Sequence, residues 1–91
     1  MNFTNIYIPL RDPATKILEC GVDDAIKRIA EVMPNAAVSV TASSRLVKDE
    51  APPSPIIRVG VSYTDEQDLR EKAGVLKKLF NREKLLVSDF V

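Results

Sequence analysis

Histidine and tryptophan are absent from the 91 residues, and cysteine occurs once, as Cys20. Without histidine, a Ser-His-Asp or Cys-His catalytic arrangement cannot form within one chain. One cysteine excludes an intrachain disulfide and a CxxC zinc or redox motif. Its position near the end of a helical pattern favours a small structural residue over a nucleophile. The three glycines are isolated, so no glycine-rich phosphate-binding loop is predicted.

The chain has no excess of positive or negative charge, because 13 Lys and Arg residues balance 13 Asp and Glu residues. Nucleic-acid affinity comes largely from Lys and Arg contacts with phosphates, so this balance disfavours a nucleic-acid partner. No apolar run approaches the roughly 18 residues of a membrane span. No secretory leader precedes Phe3. We therefore expect no membrane association and a cytoplasmic location.

The size and composition indicate a single domain over residues 1–91. With 45% hydrophobic and 29% charged residues, the chain resembles soluble globular domains and differs from disordered chains. A chain of about 100 residues buries enough surface for one core. Within it, residues 48–55 contain charges and three prolines, which predicts a solvated, semi-rigid connector.

The first helical pattern, residues 14–33, is interrupted by Gly21. A glycine costs a helix interior about 1 kcal/mol, so we favour a break there, with the stronger helix capped by Asp23. The earlier part would begin at Asp12-Pro13, because proline suits the first helical position. The alternative is that residues 15–20 form a strand that is hairpinned to the preceding one.

The second helix has clearer boundaries. Thr64 and Gln67 have the spacing of a capping box, and Asn81 is suited to a left-handed helix end. The acidic groups at 23–24 and 65–68 could in principle do carboxylate chemistry or bind a cation, but helix N-termini favour negative charge for structural reasons. We therefore predict no metal and no cofactor. The buried stripe of this helix comprises Leu69, Ala73, Leu76, Leu79 and Phe80.

Four segments alternate as strands do: Phe3–Leu10, Ala37–Leu46, Ile56–Tyr63 and Lys84–Val91. With the helices, the order is strand, helix, strand, strand, helix, strand. Two right-handed βαβ crossovers joined by a hairpin give an α+β, ferredoxin-like βαββαβ fold. We expect a four-stranded antiparallel sheet with both helices on one face. The last strand should lie beside the first, with the second and fourth strands at the edges.

The sheet face away from the helices is predicted to be apolar. Phe3, Tyr7 and Ile56 fall on this face, and we assign Leu85 and Val87 of the last strand to it as well. The last strand is apolar on both sides, so which of its faces is buried stays open. A contiguous exposed apolar patch usually marks an interface.

These features predict a non-enzymatic interaction or regulatory domain that self-associates, as a dimer, and binds a protein partner through the open sheet face. Pairing through the edge of the second strand, which has no proline or charge over residues 37–43, is a competing route to a dimer. Three other functions stay open. These are a small-molecule sensor with Asp12-Pro13 and Gly21 as loop candidates, a virus-encoded inhibitor of a host protein, and an RNA-binding module. The third strand offers no aromatic residue for base stacking on the open face, which disfavours RNA.

Overall fold

The computed structural model describes residues 2–12, 15–42 and 55–88. Their strands form one 4-stranded sheet in the order β2-β3-β1-β4, with each neighbouring pair antiparallel. The last strand lies beside the first, and β2 and β4 form the edges, as predicted. This α+β arrangement is compatible with a ferredoxin-like fold. The elements are β1 (Asn2–Pro9), α1 (Val22–Val32), β2 (Ala37–Ala42), β3 (Pro55–Tyr63), α2 (Glu66–Leu79) and β4 (Leu86–Ser88).

The core lies between the two helices and one face of the sheet. The central strands β1 and β3 pair from Asn2↔Tyr63 to Pro9↔Ile56. Because side chains alternate along a strand, every second residue of this pair faces the helices. Both helices contribute to the same buried cluster, so they cover the same face. The buried cluster comprises Ile6, Ile8, Leu10, Ala25, Ile29, Ile57, Val59, Val61, Ala73, Leu76 and Phe80.

The helical interpretation of residues 15–20 is wrong. Arg11 and Leu18 form an isolated antiparallel bridge, and the Glu19 N–H donates to the Leu10 carbonyl at 2.8 Å, a span that an α-helix does not contain. Lys16 has a φ of 64°, a left-handed conformation that a right-handed helix does not contain. The hairpin alternative was therefore nearer to the structure, although the bridge is not a full strand.

The first helix begins earlier than predicted. Gly21, and not Asp23, occupies the N-cap position with an extended backbone. Asp23 and Asp24 lie in the first turn, where the positive end of the helix dipole favours negative charge. The C-terminal end agrees with the prediction, because α1 stops one residue before Met33, which is the C-cap.

The N-cap of the second helix is displaced by one residue, and the capping box predicted for Thr64 and Gln67 is wrong. Asp65, and not Thr64, is the N-cap, and its Oδ1 accepts from the Asp68 N–H at 2.9 Å. Asp68 Oδ2 accepts from the Thr64 N–H at 2.9 Å, so the return bond reaches the residue before the N-cap. Aspartate is a stronger N-cap than threonine, which explains the displacement. Asn81 has a φ of 55°, so the left-handed helix end is confirmed.

Three predicted segments extend beyond the described residues. The second strand is observed as far as Ala42, and the part predicted for residues 43–46 lies outside the described residues. Of the 48–55 connector, Pro55 is described, as the first residue of β3. The last strand begins at Leu86, and not at Lys84, and its predicted residues 89–91 lie outside the described residues.

The displaced cap gives a first prediction. Asp65→Ala removes the acceptor for the Asp68 N–H and should lower the free energy of unfolding by about 1 kcal/mol, as expected for loss of an N-cap. Thr64→Ala is the matched control and should cost less than about 0.5 kcal/mol. Urea denaturation followed by circular dichroism measures both. The reverse order of effects would show that Thr64 is the cap.

Candidate interaction surface

The sheet surface opposite the helices is called the open face. Residues directly opposite each other on antiparallel strands point to the same side, so the observed register defines its members. Tyr7 pairs with Arg58 on one side and Leu86 on the other, and Arg58 pairs in turn with Ser39. The described open-face residues are Phe3, Asn5, Tyr7, Pro9, Ala37, Ser39, Thr41, Ile56, Arg58, Gly60, Ser62 and Leu86.

The apolar part of the open face is concentrated on β1 and β4. Phe3 is 72% exposed and Leu86 is 67% exposed. Tyr7 lies beside Leu86, and Ile56 lies beside Pro9 at the end of the β1–β3 pairing. These five residues are called the apolar patch below; four lie on β1 and β4, and Ile56 lies on β3 beside Thr41 of β2. Phe3, Tyr7 and Ile56 are therefore placed on the open face, as the sequence predicted.

The prediction that Leu85 and Val87 lie on the open face is wrong. Val87 pairs with the fully buried Ile6, so it points to the helix side of the sheet. Leu85 precedes β4 and packs against the core. Leu86 takes the open-face position instead. The sequence could not identify Leu86 as the open-face residue, because the last strand is apolar at successive positions. Its pairing with β1 determines which of these side chains faces outward.

Arg58 is the one charged residue among the described members of the open face. Its Nε donates to Ser39 Oγ at 3.0 Å, so the guanidinium is held toward β2 and away from Leu86. The cores of protein interfaces are rich in aromatic residues and arginine and poor in Lys, Asp and Glu. The open face has this composition.

A shallow depression of about 250 Å³ lies in the same face, lined by Phe3, Asn5, Ala37 and Gly60 among others. Gly60 contributes no side chain there. A Cβ at this position would lie 3.3 Å from Asn5 Oδ1 and 3.5 Å from Ala37 Cβ. Glycine thus keeps the depression open next to the exposed Phe3 ring.

Cys20 has the environment of a structural residue. It is partly buried against the core. This burial raises the pKa of the thiol, and the charge of Arg28 opposes the increase less strongly. A raised pKa reduces the thiolate fraction that nucleophilic attack requires. Among the described residues, no group of three or more Cys, Asp or Glu side chains is arranged to hold a metal ion.

Arg82 is the centre of a buried charged cluster. Its side chain is 6% exposed and lies 3.8 Å from carboxylate oxygens of both Asp12 and Glu19. The guanidinium also donates to the Phe80 carbonyl at 2.8 Å and to the Pro9 carbonyl at 2.9 Å. These contacts join the end of β1, the loop before α1 and the end of α2. The sequence pattern gave no signal for this cluster, because its members are far apart in the chain.

A second charged pair lies on the first turns of α2. Lys72 Nζ lies 3.3 Å from Asp68 Oδ2 and also donates to the Ser62 carbonyl. The hydrogen bond from the Thr64 backbone, assisted by Lys72, lowers the pKa of Asp68 below its usual range. The carboxylate is therefore fully ionised at neutral pH.

No protein-family model, curated protein or solved structure matches this chain. Neither helix in the described part of the chain is long and apolar enough to span a membrane.

The Arg82 cluster gives a second prediction. Arg82→Met removes the donor for the Phe80, Pro9 and Leu10 carbonyls and the ion pairs with Asp12 and Glu19, so we expect a loss of about 2–4 kcal/mol in the free energy of unfolding. Arg70→Met is the control, because Arg70 pairs with Glu66 on the surface at 3.9 Å and such pairs contribute at most about 1 kcal/mol. Urea denaturation compares the two variants. Equal losses would contradict the role of Arg82.

The lowered pKa of Asp68 gives a third prediction. Its contribution to stability is present above the pKa of an unfolded aspartate, about 3.9, and is lost as the pH falls through the lower folded value. The stability difference between the wild type and Asp68→Asn should therefore shrink as the pH is lowered from about 5 to about 2. Urea midpoints at each pH measure this difference. A difference that does not depend on pH would contradict the assignment.

Proposed function

We propose that this chain is a non-enzymatic interaction domain with a ferredoxin-like fold that self-associates through the apolar patch of its open face. The observation that carries the proposal is the exposure of Phe3 and Leu86, at 72% and 67%, on a face whose described residues include one charged side chain. Isolated exposed apolar residues are ordinary on a protein surface. Here Leu86 lies beside Tyr7 on the adjacent strand, and Phe3 lies on the same face of β1 beyond Asn5. Several exposed apolar side chains on one face are typical of an interface.

A second copy of the chain suits this surface electrostatically. The net charge is zero, so two copies have no overall repulsion. Most homodimers are two-fold symmetric, with the same patch of each copy in the contact. Among the described open-face residues the one charge is Arg58, which pairs with Tyr7 of the patch and donates to Ser39 Oγ. None of these residues is a carboxylate, so covering the patch buries no acidic side chain of the described face.

The geometry allows such a contact without a clash of charges. Consider a two-fold axis that lies between the two facing sheets, perpendicular to the strands and level with Asn5. This axis places Phe3 of one copy opposite Tyr7 of the other. Four residues of strand span about 13 Å, so the two Arg58 positions are offset by a similar distance along the strands. This offset exceeds the screening length of about 8 Å at physiological salt. Two sheets packed face to face lie about 10 Å apart, which large side chains such as Phe3 and Tyr7 fill.

The non-enzymatic part of the proposal is supported by the chemistry of the side chains. Histidine is absent from the sequence, and the single thiol has a raised pKa. The Asp65 and Asp68 side chains accept backbone hydrogen bonds at the start of α2, which accounts for their position. We therefore propose that the protein partner predicted from the sequence is a second copy of this chain.

Sedimentation velocity of the purified chain over a range of concentrations tests the proposal. We expect a monomer–dimer equilibrium that Leu86→Glu weakens at least thirtyfold, the effect of losing a hot-spot residue worth about 2 kcal/mol. Tyr7→Glu should have a similar effect. The matched control is Ile17→Glu, because Ile17 is 66% exposed but lies in the loop before α1. This control should leave the equilibrium unchanged.

Two outcomes would contradict this proposal. One is a wild-type chain that stays monomeric at all concentrations reached. The other is a dimer that resists Leu86→Glu and Tyr7→Glu but dissociates with Val40→Lys, since Val40 is 48% exposed on the edge strand β2. That result would assign dimerisation to strand pairing at the β2 edge. Circular dichroism of each variant confirms that the fold is retained.

A further inference from the structure

A groove of about 450 Å³ lies away from the apolar patch, between the end of α1, the loop that follows it and the first turns of α2. Its volume lies within the range of about 300–1,000 Å³ found for small-molecule sites. The walls include Val32 and Val75, which are 44% and 41% exposed. The charged residues that line it are Asp68, Glu71 and Lys72. The groove thus combines an apolar wall with a charged one.

The charge of this groove is negative. Two carboxylates face one ammonium, and Lys72 already interacts with Asp68 and with the Ser62 carbonyl. None of the ion pairs found between described residues includes Glu71. Because Lys72 balances the charge of Asp68, the unbalanced formal charge in the groove is that of the Glu71 carboxylate.

The end of α1 adds to this negative potential. The C-terminal end of a helix carries a partial negative charge from its unpaired carbonyls. The last turn of α1 contains no basic residue to offset it. The next residue after the Met33 cap is Pro34, which lines the groove and has no N–H to donate to those carbonyls. A positively charged group bound here would complement both the helix end and Glu71.

We propose that this groove binds a small organic cation, namely a primary ammonium or guanidinium group on a short apolar body. The cationic group pairs with Glu71 near the end of α1, and the apolar body packs against Val32 and Val75. A carboxylate ligand is disfavoured, because Glu71 and Asp68 would repel it. The one ammonium in the groove that could pair with it, that of Lys72, already interacts with Asp68 and the Ser62 carbonyl. The site is independent of self-association, since it lies on the helix side of the sheet. It also gives the small-molecule alternative a location other than Asp12-Pro13 or Gly21.

Three probes with one apolar body and different charges test this proposal: 3-methylbutylammonium, 3-methylbutanol and 3-methylbutanoate. Each is titrated into the full chain while backbone amide shifts are followed by NMR. We expect saturable shifts at Met33, Asn35 and Val75 with the ammonium compound. The alcohol and the carboxylate should bind at least tenfold more weakly, since a charge-assisted hydrogen bond contributes about tenfold or more.

The variant Glu71→Gln should weaken binding of the ammonium compound about tenfold. Glu66→Gln is the matched control, because Glu66 lies on the same helix outside the groove and pairs with Arg70. It should leave the affinity unchanged. The proposal is overturned if the ammonium compound gives no saturable shifts up to about 10 mM. It is equally overturned if the carboxylate or the alcohol binds as tightly, or if Glu71→Gln has no effect.

Discussion

The pairing of β1 with β3 is the constraint on which the rest of this structure depends. It fixes which residues of the two central strands face the helices and which face outward. On the inner side this places Ile6, Ile8, Ile57 and Val59 against both helices, all fully buried. On the outer side the same register gathers the large side chains of β1. The burial that stabilises the core and the exposure that suggests an interface are two results of one register, because a shift by one residue would exchange them.

The charged residues have two kinds of environment. At the helix starts, the aspartates accept backbone hydrogen bonds or lie near the positive end of the helix dipole. The Arg82 side chain is instead largely buried, where carbonyl and carboxylate partners compensate in part for lost hydration, while its Nε has no hydrogen-bond partner among the described residues. The described part of the open face has a single charge, and the groove near the end of α1 has an excess of negative charge. The balanced composition thus conceals an uneven distribution over the surface.

The sequence predicted the order of elements, the neighbouring of the first and last strands and the buried stripe of α2, because these follow from local periodicity. The sequence-based prediction failed where the conformation depends on contacts between residues that are distant in the chain. Residues 15–20 have helical spacing, but Ile17 is 66% exposed and Lys16 is left-handed. The assignment of Leu85 and Val87 failed because a strand that is apolar at successive positions fits either face, and its pairing with β1 determines the side. Arg82 could not be predicted, since its partners come together in the folded chain alone.

The contact between Arg82 and the Pro9 carbonyl joins residues that are 73 positions apart. The pairing of β1 with β4 closes a loop of similar length, so the guanidinium contact and the placement of the last strand bring the same two ends of the described chain together. On a folding route in which the Arg82 contact forms after the transition state, this contact would slow unfolding and leave the folding rate nearly unchanged. Arg82 would then lengthen the lifetime of the native state.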